Sequence, residues 1–342
     1  MKKKITSLLA VACAGVLALG LAACSGGSSN SSSNASSEGS SSAAEEISDN
    51  LNFVTGGESG TYYAFGTVLA NYCSNNGGPT VVALSGNGSQ ANVQALQDGD
   101  AQLAFCQSDV MAYAYNGTNL FEETGAVTNF SVLGALYAEQ VQIVTCDPNI
   151  KTVADLKGKT VSVGATGSGT YFNAVDILGA YDLSVDSDIT AVYQDFADST
   201  DSLKNGKIDA AFVVAGAPTT SITDLSTSKQ AYLVSLDAAH VKKLVEASPY
   251  YAEATIAADA YGMDSDTTTV AVLAVVIADN NVGEDAAYNF VSSMFAGAEA
   301  QADAHAKYAE LNLETATSIT TVPYHAGAAK YYKEQGIEVP TA

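Results

Sequence analysis

One stretch of this sequence occurs twice. Val54-Thr-Gly-Gly-Glu-Ser-Gly-Thr-Tyr-Tyr63 aligns without gaps on Val163-Gly-Ala-Thr-Gly-Ser-Gly-Thr-Tyr-Phe172. In both copies Ser-Gly-Thr-Tyr and a further aromatic begin five residues after the last valine of a β-branched run. Gly, Ser and Thr gather at strand-to-helix turns in general, but four identities at the same offset exceed what turn composition supplies. The repeat predicts two α/β units, each presenting the same Gly-rich loop between a strand and a helix.

The rest of the chain fits that frame. Strand-like apolar runs alternate with helical stretches, the mark of α/β architecture with mostly parallel sheet. Leu51–Thr55, Thr80–Leu84 and Gln102–Cys106 read as strands, followed by helices from Tyr62, Ser89 and Ser108. Val132–Tyr137 and Val141–Thr145 are extended segments with no helix between them, as a crossing between lobes requires. The pattern then restarts with strands at Thr160–Val163, Ala210–Val214 and Ala231–Leu236 and a helix from Tyr171. Val270–Ile277 predicts the return crossing, and Glu284 to about Gln335 reads as mainly helical. Nearly 300 residues from Ile47 onward suit two lobes better than one core. Residues 47–140 with 268–342 form lobe 1 in this reading, and 141–267 form lobe 2.

The N-terminus predicts the compartment. Lys2, Lys3 and Lys4 form a basic start, and Ile5–Leu19 an apolar run too short to span a bilayer comfortably. Leu21-Ala22-Ala23-Cys24 sets small residues just before a cysteine, the lipobox arrangement of bacterial lipoproteins. An ordinary secretory peptide with an incidental cysteine is the plainer alternative, and the cysteine's position directly after Ala-Ala argues against it. Residues 1–23 are then a signal peptide, and Cys24 carries the lipid that anchors an extracytoplasmic protein to the cell membrane. Within residues 24–46, Ser25–Ser42 is almost entirely Ser, Gly and Asn, which cannot build a core and reads as a tether.

Composition excludes more than it assigns. Losing Lys2, Lys3 and Lys4 with the leader takes the net charge from −23 to −26. That nearly excludes nucleic acid, whose phosphates need a basic surface. All 14 basic residues are lysine, and the chain has no arginine. Cys73, Cys106 and Cys146 are too widely spaced for a disulfide framework or a metal site, and no His-x-x-x-His is present. Neither loop is followed by Gly-Lys-Ser/Thr, and Gly164–Gly169 is not Gly-x-Gly-x-x-Gly. Neither Ser59 nor Ser168 sits in Gly-x-Ser-x-Gly, and His240, His305 and His325 lie far from both. No cofactor, no metal and no catalytic apparatus is expected.

What the repeated loops can do is bind. A Gly-rich turn into a helix exposes backbone N–H groups that have no partner within the helix, at the positive end of its dipole. Ser59, Thr61, Ser168 and Thr170 add hydroxyls, and Tyr62 and Tyr171 flat walls with polar tips. Ser85–Asn92 offers a third such helix start. Three donor-rich starts suit a small anionic or zwitterionic ligand.

Seven motifs stand in order over roughly residues 50–335. They are Thr-Gly-Gly-x-x-Gly-Thr-Tyr-Tyr at 55–63, Gly-Ser-x-x-Asn at 88–92, Gln107-Ser108-Asp109 and Asp155-Leu-Lys-Gly-Lys159. Val163-Gly-x-x-Gly-Ser-Gly-Thr170, Gly206-Lys-Ile-Asp-Ala210 and His325-x-Gly-Ala-x-Lys-Tyr-Tyr332 complete the series. In this the chain resembles the TAXI-type receptors, extracytoplasmic substrate-binding components of TRAP transporters. The resemblance implies an α/β, type II periplasmic-binding-protein fold, two lobes joined by two crossing strands, with the ligand between them. It implies a small carboxylate or glutamate-like ligand and delivery to TRAP permease membrane subunits driven by an ion gradient. By matching motif, the implied ligand contacts are Gly57, Thr61, Tyr62, Ser89, Asn92, Gln107 and Asp109 on one lobe. Ser168, Gly169, Thr170 and Pro218 face them from the other. Gln142 departs from the histidine frequent in relatives, and Ala64 and Ala326 from proline. Without arginine an anion must be held by N–H groups, hydroxyls, amides or a lysine, whereas the other TRAP receptor class clamps a carboxylate with a guanidinium. A solute-sensing lipoprotein that signals to a membrane partner without transport is the alternative reading, and an exported enzyme a third.

The lipobox makes a direct prediction. Cys24→Ser abolishes metabolic labelling with palmitate and moves the protein from the membrane fraction to the medium or periplasm. Wild-type protein that takes no label, or whose mature N-terminus lies well past Cys24, contradicts it.

Overall fold

A computed structural model describes residues 47 and 50–341. The predicted leader, Cys24 and the 24–46 tether lie outside the described residues. Lobe 1 begins with β1 (Asn50–Val54), α1 (Thr61–Asn75), β2 (Thr80–Leu84), α2 (Ser89–Gln97), β3 (Leu103–Gln107) and α3 (Ser108–Asn116). The chain leaves it along β4 (Phe130–Thr145). Lobe 2 holds β5 (Thr160–Ser162), α4 (Gly169–Ala180), β6 (Thr190–Val192), α5 (Phe196–Lys204) and β7 (Ala210–Ala215). It continues with α6 (Thr220–Ser228), β8 (Tyr232–Leu233), α7 (Ala238–Ala247) and β9 (Ala252–Ile256). The chain returns along β10 (Thr267–Asp279) to α8 (Glu284–Ala300), the short α9 (Leu313–Ala316) and α10 (Ala326–Glu334).

The sheet runs β2-β1-β3-β10-β4-β7-β5-β6. β1 pairs parallel with β2 and β3, and β5 parallel with β6 and β7. Between these parallel sets lie β10 and β4, antiparallel to each other from Ala271↔Gln140 to Asp279↔Phe130. β10 also pairs antiparallel with β3, and β4 with β7. Each lobe is thus a parallel βαβ set closed by a strand shared with the other lobe. This is the type II periplasmic-binding fold, two α/β lobes joined by two crossing strands.

Burial explains the register. β7 is buried along its whole length, as a strand covered on both faces must be. Its Ala210, Phe212 and Val214 join one apolar cluster of lobe 2, and Ala211, Val213 and Ala215 the other. In lobe 1 the aromatic rings of Phe53 and Phe105 stack at 5.0 Å, and Phe290 of α8 meets Phe53 edge-on at 5.7 Å. α1 buries Tyr62, Phe65, Leu69 and Cys73, an i, i+3, i+4 stripe against the sheet. Among the described residues no helix is long and apolar enough to cross a membrane.

The structure revises several local expectations. The two extended segments expected at 132–137 and 141–145 are one 16-residue strand, which bulges at Leu136 and Leu133 where its register against β10 shifts. The strand expected over Ala231–Leu236 is reduced to Tyr232–Leu233. The helix expected from Tyr171 begins two residues earlier, at Gly169. Between α8 and α10 the chain is mostly irregular, with a 3₁₀ turn over Ala306–Glu310 and the four-residue α9.

Candidate ligand-binding site

Both copies of the repeated loop open into helices whose first turns lack a side-chain cap. Gly60 precedes α1 and Ser168 precedes α4, each with extended backbone and no side-chain hydrogen bond to the helix amides. Gly60 has no side chain to cap with, and Ser168, a common capping residue, leaves the α4 amides unbonded by its hydroxyl, so the dipole ends of two helices from opposite lobes remain available. They line a single cavity of about 690 Å³. Of the residues expected at the ligand, Gly57, Thr61, Tyr62, Ser89, Gln107, Ser168, Gly169 and Thr170 line it together.

The other three lie elsewhere. Asn92 is fully buried behind the wall, where its amide donates to the carbonyls of Thr55 at 2.5 Å and Phe105 at 2.8 Å, tying the ends of β1 and β3 together. Asp109 is fully buried in α3 and accepts from Asn173 Nδ2 at 2.9 Å. Pro218, after a cis peptide bond, is exposed beyond the end of β7.

The lobes are drawn together by hydrogen bonds between them. Thr61 Oγ1 donates to the carbonyl of Gly216 at 2.9 Å, and Ser221 N to the carbonyl of Ser59 at 3.3 Å. Ala91 N, in the first turn of α2, donates to the carbonyl of Gly167 at 3.0 Å. The third helix start read from Ser85–Asn92 is therefore partly spent on holding the lobes rather than on a ligand. Gly88, with φ +102°, makes that approach possible, since a Cβ there would lie 3.1 Å from Ser168 Cα. Phe172 of lobe 2 packs into the core of lobe 1, and Tyr113 meets Tyr250 edge-on at 5.6 Å.

A polar chain crosses the same seam. Gln107 Nε2 donates to Asn173 Oδ1 at 3.0 Å, while Asn173 Nδ2 donates to Asp109 and, at 2.8 Å, to the hydroxyl of Tyr251. Because Asp109 can only accept when ionised, Asn173 must present its oxygen to Gln107. Gln107 then turns its own Oε1 away, and that atom has no partner among the described residues. Burial raises the Asp109 carboxyl to about 6 despite hydrogen bonds that favour its charge.

Two features of the cavity were not foreseen. Glu139 lines it, 2% exposed, with Oε2 accepting from the Tyr62 hydroxyl at 2.6 Å. The Tyr62 ring is itself fixed by stacking on Phe105 at 4.5 Å. Burial raises the Glu139 carboxyl to about 8, partly offset by that hydroxyl and by Lys307, while Asp109 adds to the rise. The sequence carried a signal for it: Glu139 is the one charged residue in the 16-residue apolar run of β4. The second feature is the absence of base. Among the described residues lining the cavity there are acidic side chains at Glu58, Glu139, Asp195 and Asp224, and no lysine or histidine. Of the ways left open for holding an anion, the cavity offers amides, hydroxyls and backbone N–H groups.

Gln142 lies fully buried beside the start of α6, donates to Thr219 Oγ1 at 2.9 Å and accepts from the Tyr261 hydroxyl. The histidines serve locally: His305 and His325 cap the helical turns that follow them, and His240 pairs with Asp237 at 2.7 Å. Among the described residues no group of three His, Cys, Asp or Glu could hold a metal ion. Cys73 and Cys106 are buried free thiols, and Cys146 is half-buried.

The sequence pattern of the NMT1-like family matches residues 53–336, which include both lobes and the whole cavity. The chain belongs to the NMT1-like family. Solved structures with a similar chain path include the periplasmic aliphatic sulphonate-binding protein of Escherichia coli, at 16% identity, 84% of this chain, 91% of that one and a TM-score of 0.44. Another is the binding-protein component of an ABC phosphonate transporter from Pseudomonas aeruginosa, at 11%, 78%, 80% and 0.47. A third is the GluR0 ligand-binding core of Nostoc punctiforme in complex with L-glutamate, at 14%, 76%, 98% and 0.44.

The two repeat glycines are not equivalent in this NMT1-like chain, and that gives a prediction. A Cβ on Gly169 would fall 1.5 Å from Gln107 Oε1 and 2.4 Å from its Cδ, and Asn173 holds that amide in place. A Cβ on Gly60 would meet only Gly57 O at 3.3 Å and a Phe196 edge at 3.4 Å. Gly169→Ala is expected to weaken binding of the solute that purifies with the protein by more than tenfold, about 1.4 kcal/mol, with the folded lobes intact. Gly60→Ala changes it less than threefold. Calorimetry and melting curves on both variants check this; equal losses, or a loss confined to stability, contradict it.

Proposed function

We propose that this protein is the extracytoplasmic solute-binding receptor of a membrane transporter, and that it binds its solute without chemical change. The observation that carries the reading is the meeting of two uncapped helix starts, one from each lobe, at one cavity of about 690 Å³. That volume lies within the range of roughly 300–1,000 Å³ usual for small-molecule sites. Closing two lobes over a solute converts binding into a shape change that a membrane partner can read. The sulphonate, phosphonate and glutamate named for the three solved structures are small anions or zwitterions, in keeping with donor-rich helix starts.

At finer resolution, the seven ordered motifs support a TAXI-type receptor serving a TRAP permease, with a glutamate-like solute or small carboxylate. The N-terminal lipobox supports anchoring through Cys24. Candidate ligand contacts are the cavity-lining residues named above; Asn92 and Asp109 support those contacts from behind. Residues 47–140 with 268–342, and residues 141–267, move as the two bodies.

Two measurements test this reading. Native mass spectrometry of the purified protein is expected to show one small solute bound in a one-to-one ratio, and stripped protein regains thermal stability when it is restored. Protein that holds no solute and gains none from small acids or amino acids overturns the receptor assignment. Uptake in vesicles carrying the partner permease is expected to follow an imposed ion gradient. Uptake that instead requires ATP hydrolysis overturns the TRAP assignment and leaves the receptor standing.

A further inference from the structure

The charge pattern of the cavity says more about the solute than its size does. We propose that the solute carries a cationic nitrogen, for which Glu139 is the counter-ion, while its anionic end faces the uncapped starts of α1 and α4. The inference rests on the receptor reading above and narrows it, from small acids in general to those that also bear an amino or equivalent group.

Three observations carry it. First, Glu139 is a buried carboxyl without a cation of its own. The ammonium that bears on it, Lys307, is already paired with Glu310. A buried carboxyl without a cation holds its proton rather than bear an unpaired charge, and a ligand that supplies positive charge allows it to ionise. Second, Glu139 keeps an acceptor at the cavity wall. Tyr62 occupies one oxygen of Glu139 and leaves Oε1 as the remaining acceptor. Gln107 and Ser168 also line the cavity, with Gln107 Oε1 packed against Gly169 and Ser168 Oγ against Gly164. An ammonium has three N–H donors and no acceptor, which suits the ionised Glu139 carboxylate; a solute carboxylate brings no donor to it. Third, no lysine or histidine among the described residues lines the cavity, so a purely anionic solute would meet acidic side chains with only dipoles to hold it.

Titration gives an independent handle. The ionisable groups facing Glu139 are Tyr62 on α1, Cys106 on β3, Asp109 on α3, Tyr137 on β4 itself and Lys307 after α8. With the Glu139 carboxyl raised to about 8, it is mostly protonated at pH 6. Pairing with a cation requires the ionised form. Affinity for an ammonium-bearing solute therefore rises between pH 6 and 8, approaching about tenfold per unit, and levels above 8. A dicarboxylate bound by protonated Glu139 shows the opposite trend, losing affinity as pH passes 8.

The test compares L-glutamate with 2-oxoglutarate, which differ in the amino group, by calorimetry at pH 6, 7 and 8 on wild type and Glu139→Gln. The mass of the solute retained on purification is determined in parallel. The expected result is binding of the amino acid at least tenfold tighter than the oxo acid, an affinity that rises with pH, and a loss of both in Glu139→Gln. If Glu139→Gln does not fold, the wild-type pair and pH series decide alone. Equal or tighter binding of 2-oxoglutarate, or affinity that falls with pH, overturns the inference and leaves a receptor for acids. If neither probe binds, the retained solute decides: a cationic nitrogen in it supports the inference, and its lack overturns it. No retained solute and no binding overturns the receptor reading along with it.

Discussion

The antiparallel pairing of β4 with β10 is the constraint on which the rest of this structure depends. Nine register pairs join the two strands, from Ala271↔Gln140 in lobe 2 to Asp279↔Phe130 in lobe 1. Each strand serves as a structural member of both lobes, since β10 pairs with β9 at one end and β3 at the other, and β4 pairs with β7 and β8 at one end and bridges Tyr324 through Val132 at the other. The pairing fixes which edges of the two parallel sets face each other. The strand-to-helix loops of the two lobes, carrying the same Ser-Gly-Thr-Tyr, are thereby brought to opposite walls of one cavity. In open parallel α/β sheets the carboxyl ends of the strands are where ligands bind, and here two such ends share one space.

Much of this was legible because it rests on features that repeat along the chain. The strands β1, β2, β3 and β7 are apolar runs bounded by glycine or polar turns, and the helix starts follow Gly-rich loops, so pattern and turn chemistry agree. Elements without such contrast were invisible. α5 buries Ser199, Thr200 and Ser202 beside Leu203, and Ser199 shares a hydrogen bond of 2.8 Å with Ser162. A helix whose inner face is hydroxyl has no apolar stripe to read. β6, three residues long, leaves no periodicity at all, and β8 shows only as part of a longer apolar run.

The site divides along the same line. Loop residues such as Thr61, Ser168 and Gly169 could be placed because the loop itself is the signal. Glu139, Gln107 and Asn173 meet only through tertiary structure: β4, β3 and α4 come from three separate stretches of chain. Motif position could name Asn92 and Asp109 but not the direction in which a helix turns them, and both face inward from behind the cavity wall. The acidity that looked like a general property of an exported chain proves to extend into the cavity, where it bears on recognition. An anion held there rests on amides and hydroxyls, which carry their polarity in fixed positions and are little screened by salt once buried.

The most direct test of this account is the change in small-angle scattering when solute-stripped protein is saturated with the solute that purifies with it. Two lobes hinged on β4 and β10 and drawn together by contacts such as Thr61 to Gly216 predict a smaller radius of gyration in the loaded state. Scattering profiles that stay superimposable at saturation would contradict the closure of two lobes on a shared ligand.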